Sequence, residues 1–284
     1  MECCRGQFAG RLMCRCLKVS ASGDYAWRHR PAGRREQEPG RLLERIQELY
    51  VGSDGVMGAP RMWEELRYAG ENCGKNRVAR LMRVNGLQGI PQKRRWRSKA
   101  SGQRPDGIDN RLQRDFRAEA VNEKWVTDIT YVHTGEHWLY VCAVIDLCSG
   151  VVVGWSMNCR QGSELVIRAL SMAVWQRQGA AAVIVHSDHG CQYTSEAYQR
   201  YLKNQGLIGS MSAVGSCADN AAAESFFGVL KRERVYRRSY RTRAEARADI
   251  FDYIERFHNA RKRRRMRWLA ERTQALTQPS VISG

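Results

Sequence analysis

The feature that most constrains the fold of this chain is a set of three acidic residues. One lies within a predicted strand, one at the end of a predicted strand and one in a predicted helix. Asp128 interrupts a β-rich run that begins at Trp125, and Asp188 closes an apolar run with the character of a buried strand. Glu224 follows Asn220 and three alanines, a capping residue and good helix formers, so we expect it in the first turns of a helix. The fold has to bring two strands and one helix to a single point.

Three carboxylates that converge in this way suggest a two-metal site for phosphoryl transfer. Mg²⁺ prefers oxygen ligands and is usually held by one or two carboxylates together with substrate phosphates. Two such ions can activate a water or a 3′-hydroxyl on one side of a phosphodiester and stabilise the leaving oxygen on the other. Without metal, mutual repulsion raises at least one carboxyl pKa, so we expect a poorly ordered or partly protonated site.

Several stretches carry a resemblance to a known family, among them Trp-Val-Thr-Asp at 125–128 and His-Ser-Asp-His-Gly at 186–190. In order and at the family's spacing, the matching stretches are 125–131, 139–147, 153–157, 186–195, 210–212, 219–221, 224–231 and 251–257. They resemble the catalytic subunit encoded by the second reading frame of the IS-three group of insertion sequences, relatives of retroviral integrases. The resemblance implies an α/β, ribonuclease-H-like fold, in which a mixed sheet has flanking helices. It also implies a DDE triad at Asp128, Asp188 and Glu224, with Mg²⁺ as cofactor and Mn²⁺ as substitute.

The family also carries a basic residue seven positions after the glutamate, which is Lys231 here. Seven residues are close to two helical turns, so Glu224 and Lys231 share a helix face. A lysine there can hold a DNA phosphate beside the metal site. The alternative is a solvated surface lysine.

The charge of the chain is divided into three blocks. The net charge is +18, from 47 basic and 29 acidic residues, and the balances of 1–120, 121–227 and 228–284 are +11, −3 and +10. Neutralisation of phosphates supplies most of the sequence-independent affinity for DNA. An acidic centre between two basic flanks therefore fits a metal site fed by DNA-binding arms, although charged runs are often only solvated faces.

The segment before the acidic centre has helical periodicity. We expect helices at 41–50, at 58–68 and from Lys75 to a stop at Gly86. The last two resemble the helix-turn-helix that precedes the catalytic core in this family. That makes Lys75, Arg77, Arg80 and Arg83 candidates for DNA contact. The alternative is a three-helix spacer with solvated basic residues.

These observations divide the chain into five segments. We expect an N-terminal basic segment (1–40), a helix-turn-helix-like DNA-binding domain (41–90), a basic linker (91–120), an integrase catalytic core (121–260) and an atypical basic tail (261–284). Within the core we expect strands near 123–132, 137–146, 151–157 and 181–187, and helices near 163–178, 195–205 and 219–236.

Other polar residues are assigned structural roles. Asp146 ends an apolar run before Cys-Ser-Gly, where an aspartate commonly accepts backbone hydrogen bonds of a turn, and Asp219 is expected to cap a helix. His186 and His189 flank Asp188, but such histidines mostly pack or bond to backbone.

Zinc is not expected, because neither the His133 and His137 pair nor the Cys14 and Cys16 pair has a partner CxxC. We place His133 in a turn between two strands. The ten cysteines are interpreted as reduced thiols, since they form no disulfide framework.

No apolar run approaches the roughly 20 residues that a membrane span needs. We therefore expect a soluble protein of the bacterial cytoplasm, associated with the nucleoid. Its partners would be insertion-sequence ends and target DNA, on which it would form a homo-oligomer.

Two functional classes remain. One is an active transposase that cuts and joins DNA strands, and the alternative is a catalytically idle remnant or DNA-binding regulator. The intact triad with Lys231 favours the first. The family's active form is generally fused to, or assembled with, an upstream-frame product that carries a coiled coil, and no sustained heptads occur here, so we expect the chain to be incomplete alone.

The tail departs from the family pattern. After Asn259 the family continues towards Leu-Gly-x-x-Ser-Pro, whereas this chain has a basic run at 261–267. Codons permitted for 266–272 restore Gly-x-x-Ser when read one base later. We therefore expect a frameshift near 261–266, with non-family sequence beyond about residue 265 that forms a mobile basic helix or a disordered end.

Overall fold

The computed structural model describes residues 7–29, 34–91, 110–112, 115–177, 182–212 and 220–277. Helices α1 (Gly10–Cys16) and α2 (Ala21–His29) precede a three-helix unit made of α3 (Arg34–Gly52), α4 (Ala59–Tyr68) and α5 (Lys75–Val84). The three expected helices are confirmed, but α3 begins seven residues before the expected domain boundary at 41. Gly70 and Gly86 follow α4 and α5 with φ of +83° and +67°, a left-handed conformation that ends a helix and favours glycine.

The helical unit has a core of its own. One apolar face of each helix contributes to it: Leu42 and Ile46, Met62 and Leu66, and Val78 and Met82. Their spacing of four residues belongs to the pattern that predicted the helices.

The catalytic region is built on a five-stranded mixed sheet. Its strands are β1 (Lys124–Thr134), β2 (His137–Asp146), β3 (Val152–Asn158), β4 (Ile184–Ser187) and β5 (Ile208–Met211). The order is β3-β2-β1-β4-β5, with an antiparallel meander of β1 to β3 and parallel pairing of β1 with β4 and of β4 with β5. The meander and β4 were expected. Strand β5 was not, because Ile-Gly-Ser-Met is short and has no apolar alternation.

Helices cover both faces of the sheet. They are α6 (Ser163–Gln176), α7 (Cys191–Thr194), α8 (Glu196–Asn204), α9 (Ala221–Glu233), α10 (Arg243–Asp252), a π-helical segment (Tyr253–Asn259) and α11 (Ala260–Thr277). Helices α6 to α8 pack on one face, while α9, α10 and the π-helical segment pack on the other. The expected ribonuclease-H-like α/β fold is confirmed.

Gly154 in β3 allows helix α6 to pack close against the sheet. A Cβ at this position would lie 2.1 Å from the carbonyl oxygen of Ala169 in α6. Any larger residue would push α6 away from the sheet.

The end of the expected linker already belongs to the core. Leu112 is buried against the sheet, and the backbone N–H groups of Arg111 and Leu112 donate to Ser210 Oγ at 3.0 and 3.2 Å. The catalytic region therefore includes residues before the expected start at 121. Residues 92–109 and 113–114 of the linker lie outside the described part.

The basic tail is helical through its described length, because α11 continues to Thr277, so the basic helix is found there and not a disordered end. Arg261 Nε and Arg264 Nη2 in α11 donate to the buried carboxylate of Glu65 in α4, at 2.8 and 2.7 Å. The Arg67 guanidinium lies 4.6 Å from the ring centroids of both Trp63 and Trp268. These contacts dock α11 on the helical unit.

Within the described ranges, every helix is too short or too polar to span a bilayer. The seven cysteines in those ranges are free thiols.

Candidate active site

Two of the three predicted carboxylates stand beside each other where the parallel strands β1 and β4 stop pairing. Strand β4 pairs with the start of β1, with Trp125 opposite Val185 and Val126 opposite His186. Continuing this register by two residues puts Asp128 beside Asp188, immediately after β4 has ended. The sheet topology thus brings together residues that are 60 positions apart.

Each aspartate is oriented by a nearby backbone amide. Asp128 Oδ1 accepts a hydrogen bond from the N–H of Ile129 at 2.8 Å, and Asp188 Oδ1 accepts one from the N–H of Gly190 at 3.1 Å. Both side chains are partly buried. Each carboxylate keeps further acceptor capacity for a ligand.

The third carboxylate is brought in by α9, whose start is anchored to β1. Asn220 is buried at the N-cap position, and its Nδ2 donates to the carbonyl oxygen of Thr127 at 3.1 Å. It makes no capping hydrogen bond, so the expected side-chain cap is not found at Asn220, and Asp219 lies outside the described residues. Glu224 lies in the first turn, as predicted, and is exposed.

The three acids act on one another electrostatically. The pKa of Asp128 is raised to about 7, first by burial and then by the charges of Asp188 and Glu224, against the lowering effects of the Ile129 N–H and Lys231. Burial disfavours the charged form of a carboxyl, and nearby negative charges add to that effect. The direction agrees with the expected raised carboxyl pKa, but burial rather than mutual repulsion is its largest cause.

Asp188 has a milder environment. Burial raises its pKa, while the hydrogen bond from Gly190 and the charge of His189 lower it. His189 thus lies near this carboxylate. His186 is fully buried, and its Nδ1 lies 2.9 Å from Ser210 Oγ, which makes it a packing residue.

Lys231 lies on α9 near the helix face that carries Glu224, as the spacing of seven residues predicted. Its Nζ is 4.6 Å from the centroid of the Tyr131 ring. Because its charge also lowers the pKa of Asp128, it stands beside the carboxylates. The contact with Tyr131 was not foreseen, since nothing local in the sequence marks it.

The donor chemistry of the site fits a hard divalent cation. All three side chains offer oxygen ligands, and a cation would offset both the burial and the neighbouring negative charges that raise the pKa of Asp128. In the described part of the chain, however, no three His, Cys, Asp or Glu side chains form a closed metal-binding group. The carboxylates would have to draw together around the ion.

Two further assignments are settled by the structure. Asp146 is confirmed as a turn residue: its Oδ1 accepts from the N–H and hydroxyl of Ser149, both at 2.7 Å, and its Oδ2 from the N–H of Asn122 at 2.7 Å. His133 does not lie in a turn, because it is part of β1 and pairs with Trp138 of β2. Strand β1 runs further than the local turn residues indicated.

The candidate DNA contacts of the helical unit lie on α5. Lys75, Arg80 and Arg83 are exposed. Arg80 and Arg83 are three residues apart and share a face of α5 away from the buried Val78 and Met82, whereas Lys75 is exposed at the first position of the helix. Arg77 differs, because it is half-buried and forms an ion pair with Glu38 at 3.3 Å. Three of the four candidates are therefore accessible.

Three models of known protein families match parts of this chain. The integrase core domain family matches residues 118–217, a second integrase core domain family matches 224–275, and an HTH-like domain family matches 38–95. The second match passes residue 265, where we expected family sequence to end, so that limit is not supported. The frameshift itself stays a prediction for the gene's nucleotide sequence.

Curated relatives match over most of their length. The transposase InsF for insertion sequence IS3A of Escherichia coli strain K12 is 40% identical over 270 residues, 91% of each chain. The transposase for insertion sequence element IS629 of Shigella sonnei is 34% identical over 262 residues, 90% of this chain and 88% of that one. A distant structural likeness is the catalytic domain of the Mos1 mariner transposase, with a TM-score of 0.42 and 9% identity over 50% of this chain and 76% of that one.

Proposed function

This chain belongs to the IS3 family of insertion-sequence transposases, and we propose that it cuts and joins DNA strands at a site formed by Asp128, Asp188 and Glu224. The observation that carries this assignment is the β1–β4 register, which puts Asp128 beside Asp188, and the pKa of Asp128, raised to about 7 by burial and by the other two acids, agrees with it. Carboxylates held together without compensating charge are costly for folding, so their retention points to a cationic ligand.

The three side chains would hold Mg²⁺, or Mn²⁺ in its place. When bound, such ions polarise the scissile phosphate and activate the attacking hydroxyl. The protein would contribute the orientation of the ligands: the amides of Ile129 and Gly190 fix the two aspartates, and Asn220 fixes the start of α9. Lys231 would hold a phosphate beside them.

Lys75, Arg80 and Arg83 are the exposed candidates on α5 and would bind the insertion-sequence ends. Arg77 is instead half-buried and ion-paired with Glu38. Target DNA would lie nearer the carboxylates. We further propose that the protein acts as a homo-oligomer on DNA, fused to or assembled with an upstream-frame product, and works at the nucleoid in the cytoplasm.

The test is strand cleavage of oligonucleotides that carry the terminal repeats flanking the gene. Asp128→Asn, Asp188→Asn and Glu224→Gln should each lower cleavage in Mg²⁺ roughly a thousandfold or more, because metal contacts are worth several kcal/mol in the transition state. DNA affinity should change less than about twofold, since many phosphate contacts remain. Asp115→Asn, at an exposed carboxylate, is the control. Retained cleavage by any one of the three variants would remove that residue from the site.

A further inference from the structure

The β1–β2 hairpin ends in a cluster of exposed aromatic rings. The ring centroids of Tyr131 and Trp138 are 5.1 Å apart with their planes at 81°, and those of His133 and Trp138 are 5.1 Å apart at 79°. Tyr131 is 56% exposed and Trp138 is 43% exposed. Rings of this size usually bury most of their surface, so their position in solvent points to a ligand that covers them.

The cluster is rigidly supported from behind. The N–H of Gly135 donates to the carbonyl oxygen of Tyr240 at 2.9 Å, and Arg243 Nε donates to the carbonyl oxygen of Trp138 at 3.2 Å. A Cβ at Gly135 would lie 2.5 Å from the carbonyl oxygen of Arg241, so the segment before α10 lies directly against the turn. These contacts fix the backbone of the hairpin turn that carries the rings.

The cluster also adjoins the carboxylate site. Pairing with β4 covers β1 at Lys124–Val126, and both Asp128 and Tyr131 come after it, although their side chains leave opposite faces of the strand. Lys231 connects the two regions, because its Nζ is 4.6 Å from the Tyr131 ring centroid and it lies two turns after Glu224 on α9. Three residues of strand span about 10 Å, which equals about three base steps of duplex DNA.

We infer that Tyr131, His133 and Trp138 form a stacking platform for an unpaired nucleobase of the DNA end, within a few nucleotides of the phosphate that is cut. Aromatic faces beside cations are the combination that binds unpaired bases, because every base has a π face and its phosphate needs a positive partner. A base inside the duplex is already stacked and cannot reach the rings. This inference rests on the proposed function, since it takes the DNA end as the ligand of the neighbouring carboxylates.

Two competing roles for the rings predict different behaviour. In one, the rings only stabilise the hairpin as a cross-strand cluster, and their loss then weakens the protein without regard to the DNA used. In the second, they contact another copy of this chain, and their loss changes self-association.

The experiment measures binding of the full chain by fluorescence anisotropy, without divalent metal. Three duplexes carrying a terminal repeat are compared: one fully paired, one with three mismatched nucleotides at the cleavage position, and one with abasic sites there. The wild-type protein should bind the mismatched duplex roughly tenfold more tightly than the abasic one. Trp138→Ala and Trp138→Leu should lose this preference, and Trp138→Phe should keep most of it. Trp175→Ala, at an 82% exposed tryptophan on α6, is the matched control and should behave as wild type.

The inference is overturned if the Trp138 variants lower affinity for all three duplexes equally, or for none of them. It is also overturned if Trp138→Ala changes only the sedimentation of the protein. Because binding is measured without metal, these outcomes are independent of whether Asp128→Asn abolishes cleavage, which tests the proposed function itself.

Discussion

Two groups of carboxylates in this protein differ in whether arginine side chains pair with them. Glu65 and Glu233 are almost fully buried, and each meets arginine: Arg261 and Arg264 donate to Glu65, and Arg61 donates to Glu233. Asp128 and Asp188, in contrast, form no ion pair within the described ranges. The first group has its charge neutralised by arginines of the chain, whereas Asp128 of the second group has its pKa raised to about 7 and is partly protonated at neutral pH.

The difference separates buried acids that stabilise the fold from the acids that we propose to act in catalysis. The Glu65 and Glu233 contacts join the helical unit to α11 and α9, so they hold together the parts that bind and cut DNA. Glu233 also accepts a hydrogen bond from the Tyr253 hydroxyl at 2.9 Å. A buried acid that is fully partnered stabilises one arrangement, while a partly protonated acid in a cluster marks a binding site.

The largest expected effect tests the paired group. Glu65→Ala should lower the free energy of unfolding by roughly 3 kcal/mol, because it leaves the half-buried Arg261 without its main partner. Urea denaturation measures this. The control is Glu64→Ala, whose carboxylate is 45% exposed and lies 3.8 Å from Arg261, and which should cost less than about 0.5 kcal/mol. Equal effects of the two variants would show that the buried pair does not hold the units together.

The second prediction concerns Asp128, which has no ion pair in the described ranges. Its substitution should raise the free energy of unfolding, whereas Glu65→Ala should lower it. The pKa of Asp128 is about 7 in the folded protein, against roughly 3.9 when unfolded. Between these values the folded state binds more protons, so metal-free stability should fall as the pH rises from about 4 to about 7. Asp128→Asn should remove this fall and stabilise the protein at pH 8 by roughly 2 kcal/mol, less than the full shift because the site is partly open to water.

Urea denaturation in EDTA at about pH 5 and pH 8 measures the effect. Asp146→Asn is a contrasting variant, since it loses hydrogen bonds from Ser149 and Asn122 and should destabilise the protein at both values. If wild type and Asp128→Asn lost equal stability over this range, the acids would not be coupled as described.

The third prediction concerns Lys231, the cation beside the unpaired acids. Lys231→Ala should reduce end cleavage about tenfold and non-specific DNA binding less than about twofold, because one misplaced phosphate matters more to the reaction than to total affinity. Lys203→Ala, at an exposed lysine of α8, should change neither. Equally small effects of Lys231→Ala on cleavage and binding would support a solvated surface lysine.

The smallest effect should come from the helical unit. Arg80→Ala and Arg83→Ala should each weaken DNA binding a few-fold and reduce the slope of log affinity against log salt by about 0.9. Arg45→Ala, whose guanidinium pairs with Glu48 on α3 at 2.6 Å, should leave the slope unchanged. An unchanged slope for all three variants would move the DNA contact away from α5.

Features set by neighbouring residues could be foreseen. The apolar spacing along α3 to α5, the glycines after α4 and α5, the strands of the meander and the turn at Asp146 all depend on interactions within a few positions. The convergence of the three acids was expected from their placement on two strands and a helix, and the register confirms it for Asp128 and Asp188.

Features set by distant partners could not be foreseen. Strand β5 is too short to show a period and forms only because β4 offers its edge. The sequence around Asn220 indicates a helix cap, but in the structure its side chain donates to the carbonyl oxygen of Thr127. The basic run after Asn259 has the composition of a free tail, but in the structure its arginines donate to Glu65. Local patterns specify the elements because propensity and periodicity act over a turn or a strand. The partner of a buried polar group depends on which elements pack together, and only the folded chain specifies that.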